Sequence, residues 1–556
     1  MSSAPVAALL LLNAILFLVF LFSDRKNDHG NDFLLLSVLF FVSGMPALIY
    51  QVVWQRALFA IYGVNAQSVA VVVTAFMLGL GIGSLVGGWL SARFPRHGML
   101  LFGIAELGVA VFGLSSLQIF HWVARYTAGA GLGAVILLSL ALLLLPTMLM
   151  GATLPLLVEH LVSKTRRVGM SLSILYFVNT FGSAVACYLC ATSLLRDFAQ
   201  SGAVTIAACG NVVVGATAYL YARSAKEHPT VLQQEPAPSA ATPLPLTTAI
   251  LLAGLSGFIA LGFEIVWYRV FSIASSDRAP AFALLLSTYL AGIAAGAYLS
   301  EKWAEKRGPA TILQVVGALL LVAGALSAYL PPLVATLVAR KISFVASAPA
   351  FFLTAALVGS VLPLVCQLSI APDQQAGKRV SYVYVSNIAG SALGSLGLGF
   401  VAMQFVGLKT MVLALAVLAA LLGAGVVVLK NGRLGMPPAW ATTLALGCFI
   451  ALTFAGARYS LLFERLTFGS RPEAQVSFAN IVENRNGVIG VTQDAAVFGG
   501  GVYDGIFNVD PLDDSNLVVR IYALSAFAPN PRHVLVIGLA SGTWAQILPI
   551  IRKWNP

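Results

Sequence analysis

The sequence predicts an all-α polytopic membrane protein, two six-helix repeats with flanking spans, followed by a short region of mixed strand and helix. Three observations carry this. Of 556 residues, 59% are hydrophobic and only 10% charged, with a mean hydropathy of +0.90. A soluble globular domain carries roughly 25% charged residues. The second observation is an internal repeat. Ser43-Gly44, Gln51, Trp54 and Arg56 are echoed at one constant offset by Ser256-Gly257, Glu264, Trp267 and Arg269. Thr74, Gly79 and Gly83 answer in the same register to Ser287, Gly292 and Gly296. With a slightly smaller offset, Gly151, Leu154-Pro155-Leu156, Tyr176, Asn179 and Gly182-Ser183 return as Gly359, Leu362-Pro363-Leu364, Tyr384, Asn387 and Gly390-Ser391. Matching landmarks in two apolar halves mark a repeat-built membrane protein. The third is an abrupt change near residue 458, where charges, glycines and alternating apolar residues begin.

Taken in order, residues 4–22 are apolar and about as long as one crossing requires. No basic residue precedes them and Asp24-Arg25-Lys26 follows, so they read as a first span rather than a cleaved leader. Six helices make the first half, near 33–54, 64–92, 99–123, 131–161, 169–195 and 203–222. Residues 224–246 hold Pro229, Pro236, Pro238, Pro243 and Pro245 among polar residues, the pattern of an extended linker. The second half repeats the six near 248–270, 280–299, 310–334, 343–369, 380–405 and 410–429, and a last span covers 437–455. The expected organisation is therefore 1–32, 33–223, 224–246, 247–430, 431–458 and 459–556, with about 14 spans.

The net charge of +11 comes from basic residues in short loops between apolar spans, which fits membrane anchoring rather than nucleic-acid binding. Alternate loops carry the larger share: Arg93/Arg96, Lys164/Arg166/Arg167, Arg223/Lys226, Lys302/Lys306/Arg307, Lys378/Arg379 and Lys430/Arg433. The bias places these loops in the cytoplasm and both chain ends outside. The five cysteines lie within apolar segments, and Cys187-x-x-Cys190 has no second pair or histidine, so no metal site is expected.

Ionisable and amide groups inside the spans are the candidate functional residues. An ionised carboxylate in the bilayer is costly unless paired or facing water. Glu106 and Glu264 therefore either face a central cavity, with Gln51 at the position equivalent to Glu264, or pair with an arginine such as Arg269. Arg56 and Arg269 sit one turn past the apolar centre, where long side chains reach for the interface. Asn179 and Asn387, beside Gly-Ser pairs, are placed to bond across close helix contacts.

Beyond residue 458, segments 476–483, 488–492 and 501–507 read as antiparallel strands with a turn at Asn486-Gly487. Residues 515–526 read as a helix. Val534-Leu535-Val536-Ile537, apolar on both faces, reads as a parallel-sheet strand. Gly538-Leu539-Ala540-Ser541-Gly542-Thr543 then opens a helix at 544–553. Strand, glycine turn and helix form the first unit of a Rossmann-like fold.

Two resemblances follow from these residues. Gly83-x-x-x-Gly87-Gly88 leading into Arg93-Phe94-Pro95-Arg96 resembles the helix 2–3 loop of major-facilitator transporters, without that loop's usual acidic residue. The doubled Ser-Gly…Trp-x-Arg pattern, with Tyr503-Asp504-Gly505 and the Asn-Pro-Arg-His-Val-Leu-Val-Ile-Gly run, resembles bacterial membrane proteins fused to a spermidine-synthase-like domain. That second resemblance implies aminopropyl transfer from decarboxylated S-adenosylmethionine to a putrescine-type amine. It implies a co-substrate site at Gly538, Ala540, Ser541, Gly542, Asp504 and Asn508. It supplies no catalytic residue, because the family's ribose-binding acid and its general base would fall beyond Pro556. The expected function is thus a membrane-bound aminopropyltransferase-like protein. The alternative is a major-facilitator-like transporter or binder of a polyamine or other small cation.

Overall fold

The computed structural model describes residues 4–24, 30–62, 66–127, 132–224, 243–276, 280–430, 433–434, 439–469, 477–527 and 533–554. The proline-rich linker lies almost wholly outside the described residues. Helix α1 (Ala4–Asp24) precedes the first half, which comprises α2 (Gly30–Tyr62), α3 (Ala66–Arg93), α4 (Gly98–Thr127), α5 (Leu132–Thr165), α6 (Val168–Leu189) and α7 (Leu195–Ser224). The second half comprises α8 (Leu246–Ala274), α9 (Pro280–Ala304), α10 (Pro309–Ala339), α11 (Ala348–Gly359), α12 (Val361–Ser369), α13 (Ala376–Leu396), α14 (Met403–Phe405) and α15 (Leu408–Val428). Helix α16 (Ala439–Ala455) follows a two-residue ladder of β1 (Leu429–Lys430) and β2 (Arg433–Leu434).

Twelve helical stretches among the described residues are long and apolar enough to cross a membrane. Two helices of the expected count of about 14 are not separate members of this set. Ala4–Val19 is a shorter apolar helix outside that set, and α6 and α7 form one continuous stretch, Val168–Ser224, of 57 residues. A straight helix of that length would be far longer than the roughly 30 Å hydrocarbon layer. The chain breaks instead at Ala199, whose φ of 56° and ψ of −170° are not helical.

The repeat is visible in the packing. Helix α3 lies on α5 as α9 lies on α11, α4 on α7 as α10 on α15, and α2 on α6 as α8 on α13. The halves meet where α3 packs on α13 and α6 on α9. Across that second seam, Ser287 Oγ donates to Ala184 O at 2.8 Å and the Phe177 and Tyr298 rings stack at 5.1 Å. Glycines set the close approaches within each half. A β-carbon on Gly83 would lie 2.0 Å from Met148 O, and one on Gly296 would lie 2.0 Å from Ala356 O. Trp54 stacks on Tyr50 at 4.9 Å and Trp267 on Phe263 at 5.5 Å, all four rings fully buried. Pro46, Pro146, Pro155, Pro331 and Pro332 stand inside helices, which neighbouring helices and back-bonding hydroxyls make tolerable. Thr336 Oγ1, for example, donates to Pro332 O at 2.7 Å.

After α17 (Leu462–Phe468) comes a four-stranded antiparallel sheet in sequential order: β3 (Phe478–Asn484), β4 (Gly487–Thr492), β5 (Ala496–Gly499) and β6 (Val502–Ile506). Asn484 pairs with Gly487, so the first turn is Arg485-Asn486, one residue before the expected place. Gly499 pairs with Val502 across Gly500-Gly501, both with positive φ, as a two-residue hairpin turn requires. Phe468, Phe478, Phe498 and Tyr503 form an aromatic cluster with centroid spacings of 5.0 to 5.9 Å. Helices α18 (Val519–Phe527) and α19 (Thr543–Trp554) complete the region.

The expected parallel strand is not formed. Val534–Ile537 has no strand pairing, and Leu535 and Ile537 are 85% and 90% exposed. A doubly covered central strand needs neighbours on both edges and helices on both faces. Among the described residues the strands of this region form an antiparallel meander, and no Rossmann unit is seen.

Candidate functional site

A cavity of about 250 Å³ lies between the two halves. Its walls are repeat-related: Ser43 with Ser256, Gln51 with Glu264, Tyr176 with Tyr384, Asn179 with Asn387, and Ser183 with Ser391. The members of each pair sit on equivalent helices, α2 with α8 or α6 with α13, and residues of α3, α4, α5, α7, α9 and α11 add to the lining.

The amides hold the walls in place. Asn179 Nδ2 donates to Phe40 O at 3.2 Å and Asn387 Nδ2 to Ala253 O at 3.0 Å. Ser183 Oγ donates to Gly44 O at 3.0 Å and Ser391 Oγ to Gly257 O at 3.3 Å. The contacts need glycine opposite, because a β-carbon on Gly44 would meet Asn179 O at 2.1 Å and one on Gly257 would meet Asn387 O at 2.2 Å.

The carboxylates break the symmetry. Glu106, on α4, accepts Ser43 Oγ at 2.6 Å and Asn211 Nδ2 at 2.6 Å, and is buried. Glu264, on α8, is also buried and lines the cavity, yet it makes no hydrogen bond or ion pair among the described residues. Tyr176, Tyr289 and Tyr384 share the cavity with it.

Of the residues singled out in the spans, Gln51, Glu106 and Glu264 thus come together, and Arg56 and Arg269 do not line the cavity. Arg269 and Glu264 do not pair. Arg269 is buried at the far end of α8, where its Nη2 donates to Asn484 O at 2.5 Å in the sheet. Asn211 and Tyr289 are members of the site that sequence reasoning missed. A lone amide in an apolar helix was the available signal for Asn211; Tyr289 had none.

In the end region, the backbone N–H of Ser541 donates to Asp504 O at 3.3 Å and Ser541 Oγ lies 3.1 Å from Thr543 Oγ1. Gly538, Ala540 and Gly542 all have positive φ in the turn before α19. Asn508 Nδ2 donates to Asp513 O at 2.8 Å. Burial lifts the Asp504 carboxyl above its usual range, against the opposing effect of the Gly499 N–H. Among the described residues no cluster of His, Cys, Asp and Glu could hold a metal ion.

Residues 35–369 match the Major Facilitator Superfamily. No curated protein sequence matches the chain. Among solved structures, the fold is similar to that of the proton:xylose symporter XylE, at 13% identity and a TM-score of 0.51, covering 70% of this chain and 93% of that one. It is also similar to a bacterial homologue of the iron transporter ferroportin in an outward-facing state, at 12% identity and a TM-score of 0.50, covering 70% and 96%. Nothing in these matches supports the spermidine-synthase resemblance, and the superfamily match overturns aminopropyl transfer as the main reading. Most of the doubled landmarks behind that resemblance lie within residues 35–369. By that match, and with its twelve candidate spans, the chain is a multi-pass membrane protein that belongs to the Major Facilitator Superfamily.

Proposed function

We propose that this chain transports a small organic cation, of the polyamine or a related amine class, through the cavity between its halves. The observation that carries this reading is Glu264. A buried carboxylate without a protein partner is costly within a membrane, and an incoming ammonium group would offset that cost. The tyrosines around it support a cationic rather than a neutral cargo, since aromatic faces attract ammonium groups. Gln51, Asn179 and Asn387 supply amide groups that would orient the rest of the molecule.

Proteoliposomes holding the purified chain test this, with labelled putrescine and spermidine offered beside labelled xylose. The expected result is saturable amine uptake, reduced at least about tenfold in Glu264→Gln, as loss of one partner of a buried charge pair implies. Uptake of the neutral sugar without amine uptake, or full amine uptake by Glu264→Gln, would overturn the reading.

A further inference from the structure

The junction between the membrane bundle and the sheet holds a second charged cluster, none of whose residues lines the cavity. The β3–β4 hairpin sits against the second half at three points. Arg269 Nη2, at the end of α8, donates to Asn484 O at 2.5 Å. Glu483 Oε2 accepts the backbone N–H of Leu408, the first residue of α15, at 2.7 Å. Arg485 lies over the ring of Phe400, just past α13, at 5.5 Å. The peptide joining Asn484 to Arg485 therefore brings two guanidinium-bearing residues to one spot.

Both guanidinium groups keep a buried donor with no partner among the described residues: Nη1 of Arg269 and Nε of Arg485. Arg269 is only 7% exposed. A buried N–H left without an acceptor is expensive, and more so on a charged group. The local charge does not balance either. Among the described residues the carboxylate set against Arg269 is Glu483, and its Oε2 is already engaged by Leu408. Two cations against one anion leave one positive charge at the seam.

We infer that this junction is a binding site for a phosphate oxyanion, held by Arg269 Nη1 and Arg485 Nε. Guanidinium groups suit this ligand because their planar N–H forks match phosphate oxygens. A monoanionic phosphodiester would neutralise the residual charge. The site lies at the end of the span Leu246–Ala274, beside the exposed apolar side chains of Val401 and Phe405. A phospholipid headgroup and free phosphate both offer the required oxygens.

The purified full chain in detergent distinguishes these sources. Retention of phosphatidylglycerol is followed by native mass spectrometry, and inorganic phosphate is titrated in lipid-free detergent against the thermal midpoint. Arg485→Gln is the primary variant, since Arg485 is only half-buried and lies outside the spans. Arg269→Gln is the second, though it also removes the bond to Asn484 and so disturbs docking of the sheet. The expected result is lipid binding weakened about tenfold in Arg485→Gln, the loss of one charge-assisted hydrogen bond. A midpoint rise with inorganic phosphate that Arg485→Gln abolishes, without lipid retention, assigns the site to the free ion. Binding of neither probe, or binding that Arg485→Gln leaves unchanged, overturns the inference. None of these outcomes depends on what the central cavity carries.

Discussion

The Glu159 carboxylate accepts the backbone N–H of Gly377 at 2.7 Å, joining residues 218 positions apart in opposite halves of the molecule. Glu159 is on α5 and Gly377 is in the first turn of α13, so the carboxylate also faces the positive end of a helix. Arg167 bridges the halves as well, to Glu305 at 3.0 Å and to the buried Glu301 at 3.6 Å. The contact with Glu305 is largely exposed and is worth roughly 0.2–1 kcal/mol. Losing Glu159 would strand a buried N–H, which costs about 1–3 kcal/mol.

Glu159→Ala should therefore loosen the seam between α5 and α13. The reporter is Ser91→Cys, because Ser91 is buried at the same seam. A Cys209→Ser background removes the exposed native thiol. Maleimide labelling of Cys at position 91 should accelerate about tenfold when Glu159 is removed. Equal labelling rates with and without Glu159 would show that another contact holds the seam.

The glycines make a paired prediction. Gly83→Val and Gly296→Val should each lower stability by roughly 2–5 kcal/mol, because both drive a β-carbon into a carbonyl of the facing helix. Gly425→Ala is the control, since nothing lies within 4 Å of its β-carbon position. Alanine there should stabilise α15 by about 0.5–1 kcal/mol. Thermal midpoints of purified variants decide this, and unequal effects at Gly83 and Gly296 would mean the two halves pack differently.

Sidedness can be tested as well. The sheet is bonded to Arg269 and Leu408, at the end of the second half opposite the loop carrying Lys302, Lys306 and Arg307. Basic loops stay in the cytoplasm. A reporter fused after Ser460 should then be active outside the cytoplasm, and cytoplasmic activity would reverse the layout.

How much of this was legible in the sequence follows from what each feature depends on. The repeat was readable because a close helix contact tolerates few residue types, so Gly44, Gly83, Asn179 and their second copies leave a pattern. The cavity residues Gln51, Glu106 and Glu264 stood out because polar groups are rare in apolar spans. Which carboxylate was satisfied was not legible, since Asn211 reaches Glu106 across 105 residues. The end region misled for a different reason. A run such as Val534–Ile537 has the composition of a central strand, but a strand exists only where a neighbouring strand accepts its hydrogen bonds. The sequence carries no record of that partner, and β5 (Ala496–Gly499) was passed over because four residues around glycine show too little alternation.

The Glu106 cluster yields the last prediction. Glu106 accepts from Ser43 and from Asn211, both at 2.6 Å, and all three side chains are buried. Such a network is strong when complete and costly when half-complete. Asn211→Leu leaves one carboxylate oxygen without its donor, and Glu106→Leu leaves Ser43 and Asn211 without their acceptor. Each single change should cost about 1–3 kcal/mol. The double variant replaces the pair by apolar groups in an apolar surround, so its cost should fall below the sum of the two. A coupling of roughly 0.5–3 kcal/mol is the expected signature of residues in one network. Thermal midpoints of the wild type, both single variants and the double variant close the cycle. Strict additivity would show that Asn211 and Glu106 act independently, leaving Ser43 as the donor that fixes the carboxylate.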